Sequence, residues 1–318
     1  MFENKRIIPI VFSVDDNYAP FLAVNIRSIL DNGSKDNFYK IFILITDLND
    51  VNINNLKSFA NENCEINFVD VNEKLNAIAH KLALRDYYTL TIYYRLFIPS
   101  IFNEYDKILY LDCDMVVKCD VAELFEYDLG DNIIGACREE VMTMVGAFGK
   151  YSEDCLGVDR NDYFNSGLLL INCCKYREMQ IEKRFLDLLN LYKFEVAPDQ
   201  DYLNVLCKDK VLKLSIGYNK APVKNKDFND NELKIIHYKL WYKPWLYSDI
   251  LYEKYFWESA KKTPYYNLLK SIRENYSHEN VVKDLLSYKN LVKLATNEAR
   301  SSQNYLRRTL VNSNVNAW

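Results

Sequence analysis

The first half of this 318-residue chain alternates short apolar runs with segments of helical periodicity. Ile7–Val14 is a nearly continuous apolar run typical of a buried strand, and Phe21–Leu30 then repeats apolar side chains on one helix face. Strands that alternate with helices of about ten residues indicate a largely parallel sheet with helices on both faces. Further predicted elements are the strands Phe38–Ile45, Ile66–Val71, Lys107–Leu111, Ile133–Ala136 and Leu168–Ile171, and a helix near Ile53–Ala60.

The composition changes after about residue 246. Residues 247–318 carry eleven Lys and Arg against seven Asp and Glu, although the whole chain has a net charge of −4. The segment also holds eleven aromatic residues, and its apolar residues have helical spacing. We expect a catalytic domain over 1–246 and a basic, aromatic helical extension over 247–318. Two interpretations of the extension stay open: it lies on an anionic membrane surface, or it packs on the sheet or on another subunit of an oligomer.

The scarcity of glycine limits how the chain can bind phosphate. Only eight glycines are present and no two form a G-x-G arrangement, so the dinucleotide fingerprint and the P-loop are both absent. The acidic net charge argues against a nucleic acid partner. Eight cysteines without a C-x-x-C pair are typical of reduced thiols. We expect a cytoplasmic protein, with peripheral attachment to the inner face of the plasma membrane left open.

Two carboxylates follow the predicted strand Lys107–Leu111. Asp112 and Asp114 are two residues apart, so they point the same way if the chain stays extended. Apolar residues lie on both sides of the pair, and two like charges are unfavourable there unless a cation neutralises them. Mg²⁺ or Mn²⁺, which prefer oxygen ligands, would be the natural partner. The alternative is a solvated turn.

Other candidates come from distant segments. Asp15, Asn17 and Tyr18 follow the first strand, where open α/β sheets bind ligands, although a helix N-cap uses the same residue types. His237 follows an apolar run; an isolated histidine is more often structural, but beside two carboxylates it would favour Mn²⁺ over Mg²⁺. Lys243 would supply a positive charge suited to a diphosphate.

Two further polar segments are unremarkable by themselves. Asn165 precedes the strand Leu168–Ile171, and Asp199 with Gln200 opens a predicted helix, where capping is an alternative explanation for Asp199.

Taken in order, these segments resemble glycosyltransferase family 8, the group of glycogenin and bacterial lipopolysaccharide galactosyl- and glucosyltransferases. The resemblance spans about residues 7 to 245, or three quarters of the chain. It implies a GT-A fold, which is a Rossmann-like, mostly parallel central sheet flanked by helices. The matching segments are Phe12–Tyr18, Tyr93–Leu96, Tyr110–Asp114, Phe164–Gly167, Asp199–Asp201, and His237 and Tyr238 with Lys243–Trp245.

The resemblance also implies the activity. It implies an enzyme that moves galactose or glucose from a UDP-sugar to a glycan or glycoprotein acceptor, with retention at the anomeric carbon and Mn²⁺ as cofactor (Mg²⁺ as the alternative). The setting would be the assembly of a bacterial surface glycan. The implied metal ligands are Asp112, Asp114 and His237.

The remaining matching residues would bind the donor. Gln200 occupies the position offered in the family as nucleophile or stabiliser; because a carboxamide is a poor nucleophile, we expect a front-face mechanism. The implied uridine and ribose contacts are Asp15, Asn17 and Tyr18, with Asp112 also near the ribose; those to the donor sugar are Arg95, Asn165, Asp199 and Gln200, and that to the diphosphate is Lys243.

One position departs from the family pattern. The family usually has glycine three residues after this histidine, where the backbone approaches the diphosphate, but this chain has Leu240. A bulky side chain would obstruct that approach, so either the loop takes another path or donor affinity is reduced. Leu240 keeps open a non-catalytic family member that binds UDP-sugar or acts as a scaffold. A sugar-nucleotide nucleotidyltransferase is disfavoured because Phe12–Tyr18 contains no glycine.

Overall fold

A seven-stranded sheet forms the centre of the protein in a computed structural model that describes residues 5–76, 78–82 and 90–315. The strand order is β3-β2-β1-β4-β7-β6-β8, and a separate two-stranded sheet pairs β5 with β9. The strands of the described residues are β1 (Arg6–Ser13), β2 (Asn37–Ile45), β3 (Cys64–Asp70), β4 (Lys107–Leu111), β5 (Met115–Val117), β6 (Ile134–Ala136), β7 (Leu168–Asn172), β8 (Val211–Lys213) and β9 (Ile235–His237).

Helices cover both faces of this sheet. Short 3₁₀ segments, including Leu90–Phe97 and Ile216–Asn219, connect the elements, and a π-helical turn at Ser152–Leu156 continues α6. The α-helices of the described residues are α1 (Ala19–Asn32), α2 (Asp50–Lys57), α3 (Asn72–Asn76), α4 (Ile98–Ile101), α5 (Glu140–Met144), α6 (Gly146–Tyr151), α7 (Cys173–Glu178), α8 (Ile181–Leu191), α9 (Pro198–Leu206), α10 (Glu253–Ala260), α11 (Tyr266–Glu274), α12 (His278–Arg300) and α13 (Tyr305–Val315).

The predicted strands are all present, with ends that differ by at most two residues. The sheet is mostly parallel as expected, because β7 alone among its strands runs antiparallel to the neighbours on both sides. Three-residue strands carry little periodicity, and of the four among the described residues β6 was predicted whereas β5, β8 and β9 were not.

The core lies on both faces of the sheet. Along β1, Ile8, Ile10 and Phe12 belong to one cluster of buried side chains, whereas Val11 belongs to the other. Successive side chains of a strand point to opposite faces, so a strand buried on both sides is apolar throughout. This explains why the strands could be recognised as continuous apolar runs.

The C-terminal extension packs on the sheet domain. Phe256 of α10 and Leu269 of α11 join the first buried cluster, and Leu291 and Ala295 of α12 join the second. The packing interpretation therefore holds for these helices, while the boundary between 246 and 247 stays a prediction. In the part of the chain that the structure describes, no helix combines the length and the apolar character needed to cross a membrane.

Candidate active site

Three segments meet at one edge of the sheet. Asp112 follows β4, and Asn165 and Gly167 precede β7; because β7 is antiparallel to β4, its beginning lies beside the end of β4. The Asp112 backbone N–H donates to the Gly167 carbonyl at 2.7 Å. A cavity of about 1120 Å³, counted with its open mouth, lies at this edge.

Most of the predicted site residues line this cavity. Asp15 and Asn17 are not among its lining residues: a carboxylate oxygen of Asp15 accepts the Tyr18 backbone N–H at 3.0 Å, and Asn17 is exposed. The predicted site residues that do line the cavity are Tyr18, Arg95, Asp112, Asp114, Asn165, Asp199, Gln200, His237 and Lys243.

Asp112, Asp114 and His237 come together as a group that could hold a metal ion. One ligand atom from each lies within 4.8 Å of the others. His237 Nε2 is 3.1 Å from Asp114 Oδ1 and 3.7 Å from Asp112 Oδ2. The small sheet positions the histidine, because β9 pairs with β5 in the register that sets His237 opposite Met115.

Each of these three side chains also contacts one further residue. Arg95 Nη2 donates to Asp112 Oδ1 at 2.8 Å, Lys243 donates to Asp114 Oδ2, and His237 Nδ1 is 2.9 Å from Asn219 Oδ1. One atom of each ligand therefore remains to face the common centre. Such outer contacts orient metal ligands in proteins.

The space inside the cluster also fits a cation. A Cβ placed on Gly167 would lie 2.4 Å from His237 Cε1 and 2.6 Å from Asp112 Oδ2, so glycine is required for the ligands to approach. Two carboxylates and an imidazole are a suitable donor set for Mn²⁺ or Mg²⁺. Burial by itself would raise the pKa of Asp114, but the Lys243 ammonium holds it well below its usual range, so this ligand stays ionised.

Arg95 connects the metal cluster to the polar wall of the cavity. Its guanidinium is buried and donates to the Ser166 carbonyl at 2.7 Å, and its Nε lies 3.3 Å from Asp199 Oδ2. The same group lies over the Tyr110 ring, 4.5 Å from its centroid. Burial raises the pKa of Asp199, and the positive charge of Arg95 opposes that rise.

Both ends of the Gln200 carboxamide are engaged. Gln200 Oε1 accepts hydrogen bonds from the Ser166 backbone N–H at 2.9 Å and from Asn165 Nδ2 at 3.1 Å. Gln200 Nε2 donates to the Tyr163 hydroxyl at 3.2 Å. This side chain is therefore held in one orientation at the cavity wall.

Comparison with known proteins identifies the family to which this site belongs. The model of Glycosyl transferase family 8 matches residues 9–249. The chain belongs to glycosyltransferase family 8. A putative glycosyltransferase of Haemophilus influenzae is 32% identical over 252 residues, which are 75% of this chain and 74% of the relative. A lipopolysaccharide 1,2-glucosyltransferase of Escherichia coli is 28% identical over 275 residues, 79% of this chain and 78% of the relative.

Solved structures agree with this family 8 assignment. The galactosyltransferase LgtC, crystallised with donor and acceptor sugar analogues, matches with a TM-score of 0.64 at 25% identity, over 81% of this chain and 96% of that one. The bifunctional glycosyltransferase WbbM matches with a TM-score of 0.74 at 26% identity, over 85% of this chain but 52% of that one. The predicted GT-A fold and the predicted family are both confirmed.

The family 8 motifs do not include several residues that the structure brings to the site. Glu139 accepts a hydrogen bond from Asn165 Nδ2 at 2.7 Å and forms a buried ion pair with Lys239. Burial would raise the pKa of Glu139, but Lys239 lowers it. Glu139 lies three residues after the predicted strand Ile133–Ala136, and this position could have identified it as a candidate site residue. For Asn219 and Lys239 the sequence offers no comparable signal.

The cavity of this glycosyltransferase also has an apolar end. Val141 and Met142 of α5, Phe148 of α6 and Leu291 of α12 all line it. Helix α12 therefore contributes a wall of the site, although it lies outside the matched family segment.

Leu240 adopts an unusual backbone conformation at the cavity wall. Its φ of 55° lies in the left-handed region that favours glycine. Leu240 lines the cavity, and the next residue, Trp241, packs edge to face on Tyr288 of α12 with 5.3 Å between ring centroids. A leucine thus occupies a conformation that glycine adopts at no steric cost.

Proposed function

We propose that this family 8 glycosyltransferase moves galactose or glucose from a UDP-sugar to a carbohydrate or glycoprotein acceptor, with retention of configuration and with Mn²⁺ as the preferred cofactor over Mg²⁺. The observation that carries the proposal is the convergence of Asp112, Asp114 and His237 with their outer atoms already held. Similarity to a lipopolysaccharide glucosyltransferase and to the galactosyltransferase LgtC supports a hexose donor and a role in bacterial surface glycan assembly.

The leaving group would be bound at the metal end of the cavity. A divalent cation held by Asp112, Asp114 and His237 would stabilise the negative charge that develops on the departing diphosphate. Lys243 would contribute a second positive charge at the same place, from a loop that lines the cavity. Tyr18, with the neighbouring Asp15 and Asn17, would bind uridine and ribose.

The donor sugar would lie against Arg95, Asn165, Asp199 and Gln200. Because Gln200 Oε1 accepts two well-formed hydrogen bonds and its Nε2 donates a third, its arrangement favours positioning over nucleophilic attack. This supports the front-face mechanism, in which the acceptor hydroxyl attacks from the side that UDP leaves. The acceptor would then approach from the apolar end, where Leu291 and Phe148 can contact the apolar face of a sugar ring.

A donor panel tests this function. The protein is incubated with UDP-galactose, UDP-glucose and other UDP-sugars in Mn²⁺, Mg²⁺ or EDTA, and UDP release is measured. We expect UDP release from one of the two hexose donors, stimulated more by Mn²⁺ than by Mg²⁺ and lost in EDTA, and NMR of the glycoside product should show retention. Binding of UDP-sugar with no turnover would identify the non-catalytic alternative, and formation of UDP-sugar from UTP and a sugar phosphate would identify a nucleotidyltransferase.

We also propose that α12 places this cytoplasmic enzyme on an anionic membrane. Val282, Leu285 and Leu286 are exposed on this helix, and Lys283 and Lys289 are exposed beside them. Apolar side chains flanked by lysines favour an interface with anionic lipid. The double substitution Leu285→Ser and Leu286→Ser should weaken sedimentation with phosphatidylglycerol vesicles.

The matched control for this test is Leu191→Ser on α8, where the leucine is 75% exposed. It should leave vesicle binding unchanged. Absence of wild-type binding, together with a dimeric mass that the double variant lowers, would instead assign this face to contact between copies of the chain.

A further inference from the structure

A histidine can bind a metal ion only through a nitrogen that carries no proton, so a neutral His237 must hold its proton on the other nitrogen. We propose that Asn219 is the positioning residue that keeps this proton on Nδ1 and thereby presents Nε2 to the metal. This inference rests on the metal site of the proposed function. Asn219 is 1% exposed, and its Oδ1 lies 2.9 Å from His237 Nδ1.

The donor and acceptor of each hydrogen bond that connects Asn165, Asn219 and His237 can be assigned by starting from the backbone N–H of Gly167. The Gly167 backbone N–H donates to one side-chain atom of Asn165 at 2.9 Å, so that atom must be the oxygen, Oδ1. The other end of Asn165 lies 2.7 Å from a carboxylate oxygen of Glu139, which accepts when ionised, so this end must be the amide nitrogen. Two independent contacts therefore determine the orientation of the Asn165 side chain.

The orientation of Asn165 determines that of Asn219. Asn165 Oδ1 lies 2.9 Å from the side-chain amide of Asn219. Because this oxygen can only accept a hydrogen bond, Asn219 must present Nδ2 to it. Asn219 then presents Oδ1 to His237. Because an amide oxygen also only accepts, His237 Nδ1 must carry a proton. In the neutral ring that binds a metal ion, Nε2 then carries none, and this is the atom that faces Asp112 and Asp114.

The backbone keeps these two side chains together. Asn219 ends the 3₁₀ segment Ile216–Asn219, and the following residue, Lys220, pairs with β9: its N–H donates to the Ile235 carbonyl, and its carbonyl accepts the His237 N–H, each at 3.0 Å. The contact between Asn219 and His237 is thus built into the strand pairing. Through Asn165 it also connects a metal ligand to Gln200 and Glu139 at the proposed sugar end.

Two substitutions at Asn219 separate this role from simple packing. Asn219→Leu removes the acceptor for Nδ1–H, and we expect Mn²⁺ affinity to fall by about 10- to 100-fold, as loss of an outer partner of a metal ligand typically does. Asn219→Asp keeps an oxygen acceptor toward His237 but sets its second oxygen against Asn165 Oδ1, so it should lose clearly less affinity than Asn219→Leu. Affinity is measured without substrate, from the electron paramagnetic resonance signal of free Mn²⁺.

The matched control is Asn304→Leu. Like Asn219, Asn304 is fully buried. Its side chain forms hydrogen bonds with the backbone of Asp154 and Arg307, away from the metal cluster. It should lower the melting temperature and leave Mn²⁺ affinity unchanged. Equal Mn²⁺ affinity in Asn219→Leu and the wild type, or an equal loss in both Asn219 variants, would overturn the inference.

The tautomer can be observed directly in the wild-type protein, even if Asn219→Leu does not fold. The chain has three histidines, so ¹⁵N-histidine labelling of the Mg²⁺-loaded protein gives few imidazole signals. We expect His237 to show a protonated Nδ1, whereas a protonated Nε2 would refute the assignment. If the wild type binds neither Mn²⁺ nor Mg²⁺, the metal site of the proposed function is wrong, and the inference about Asn219 fails with it.

Discussion

At the metal end of the cavity, polar side chains are held by partners of defined geometry, whereas the apolar end is walled by Val141, Met142, Phe148 and Leu291. The first end suits a highly charged donor, because oriented charges stabilise a leaving diphosphate without having to reorganise. The second end suits the apolar face of a sugar, which needs shape more than charge. Under the proposed function, donor and acceptor would be recognised by different parts of one cavity.

The largest effect is expected at the metal end. Asp114→Asn removes a charged ligand atom, so metal-dependent release of UDP should fall by more than about 100-fold. Release of UDP from the preferred donor in Mn²⁺ is the measurement. Asp131→Asn, at a side chain that is 83% exposed, is the control and should retain full activity. An unchanged rate in Asp114→Asn would contradict the metal assignment and remove the distinction between the two ends.

A smaller effect is expected at the apolar end. Leu291→Asn places a polar group in the apolar wall, and transfer to the acceptor should fall by about 10-fold while hydrolysis of the donor without acceptor stays unchanged. The two rates are measured on one preparation. Leu286→Asn, on the exposed part of the same helix, should change neither rate. If Leu291→Asn lowers hydrolysis as much as transfer, the two ends do not work separately.

The smallest effect is expected at Leu240, which lines the cavity beside the metal end. Replacement by glycine removes a left-handed leucine conformation that costs about 1 kcal/mol, although the more flexible glycine offsets part of this gain. Donor affinity, measured by calorimetry with UDP and Mn²⁺, should be equal or a few-fold tighter. Asp209→Gly relieves a similar conformation at φ 63° outside the cavity lining and should leave affinity unchanged. Markedly weaker binding of UDP to Leu240→Gly would mean that the loop is built around this leucine.

The part of the site that could be predicted from local pattern consists of residues that lie close together in the sequence. Asp112 and Asp114 could be recognised because they lie two residues apart directly after β4, which is visibly apolar. The chain does not stay extended between them as expected, but turns at Cys113 and Asp114. The strands of the sheet other than β8 were predictable because burial on both faces leaves few polar residues along a strand. The resemblance to the family then connected His237 to the two carboxylates.

Strand direction and distant contacts decide the rest of the site: the resemblance implied Asn165 but not why it lies beside the metal cluster, and Asn219 was not predicted. Asn165 lies at the beginning of a strand, where an all-parallel sheet would set it at the edge opposite Asp112. The antiparallel direction of β7 reverses this and places Asn165 beside the metal cluster. Asn219 reaches His237 because Lys220 pairs with β9, a strand too short for its periodicity to be recognised.

The sequence by itself determined the alternation of strands and helices, the paired carboxylates and the family motifs, because each is encoded within a few consecutive residues. Only the tertiary structure decided which partner holds each ligand and which helix closes the cavity. Leu291 shows the reason: it follows Asp112 by 179 positions, and its place in the cavity wall depends on how α12 packs against α6 rather than on any local pattern.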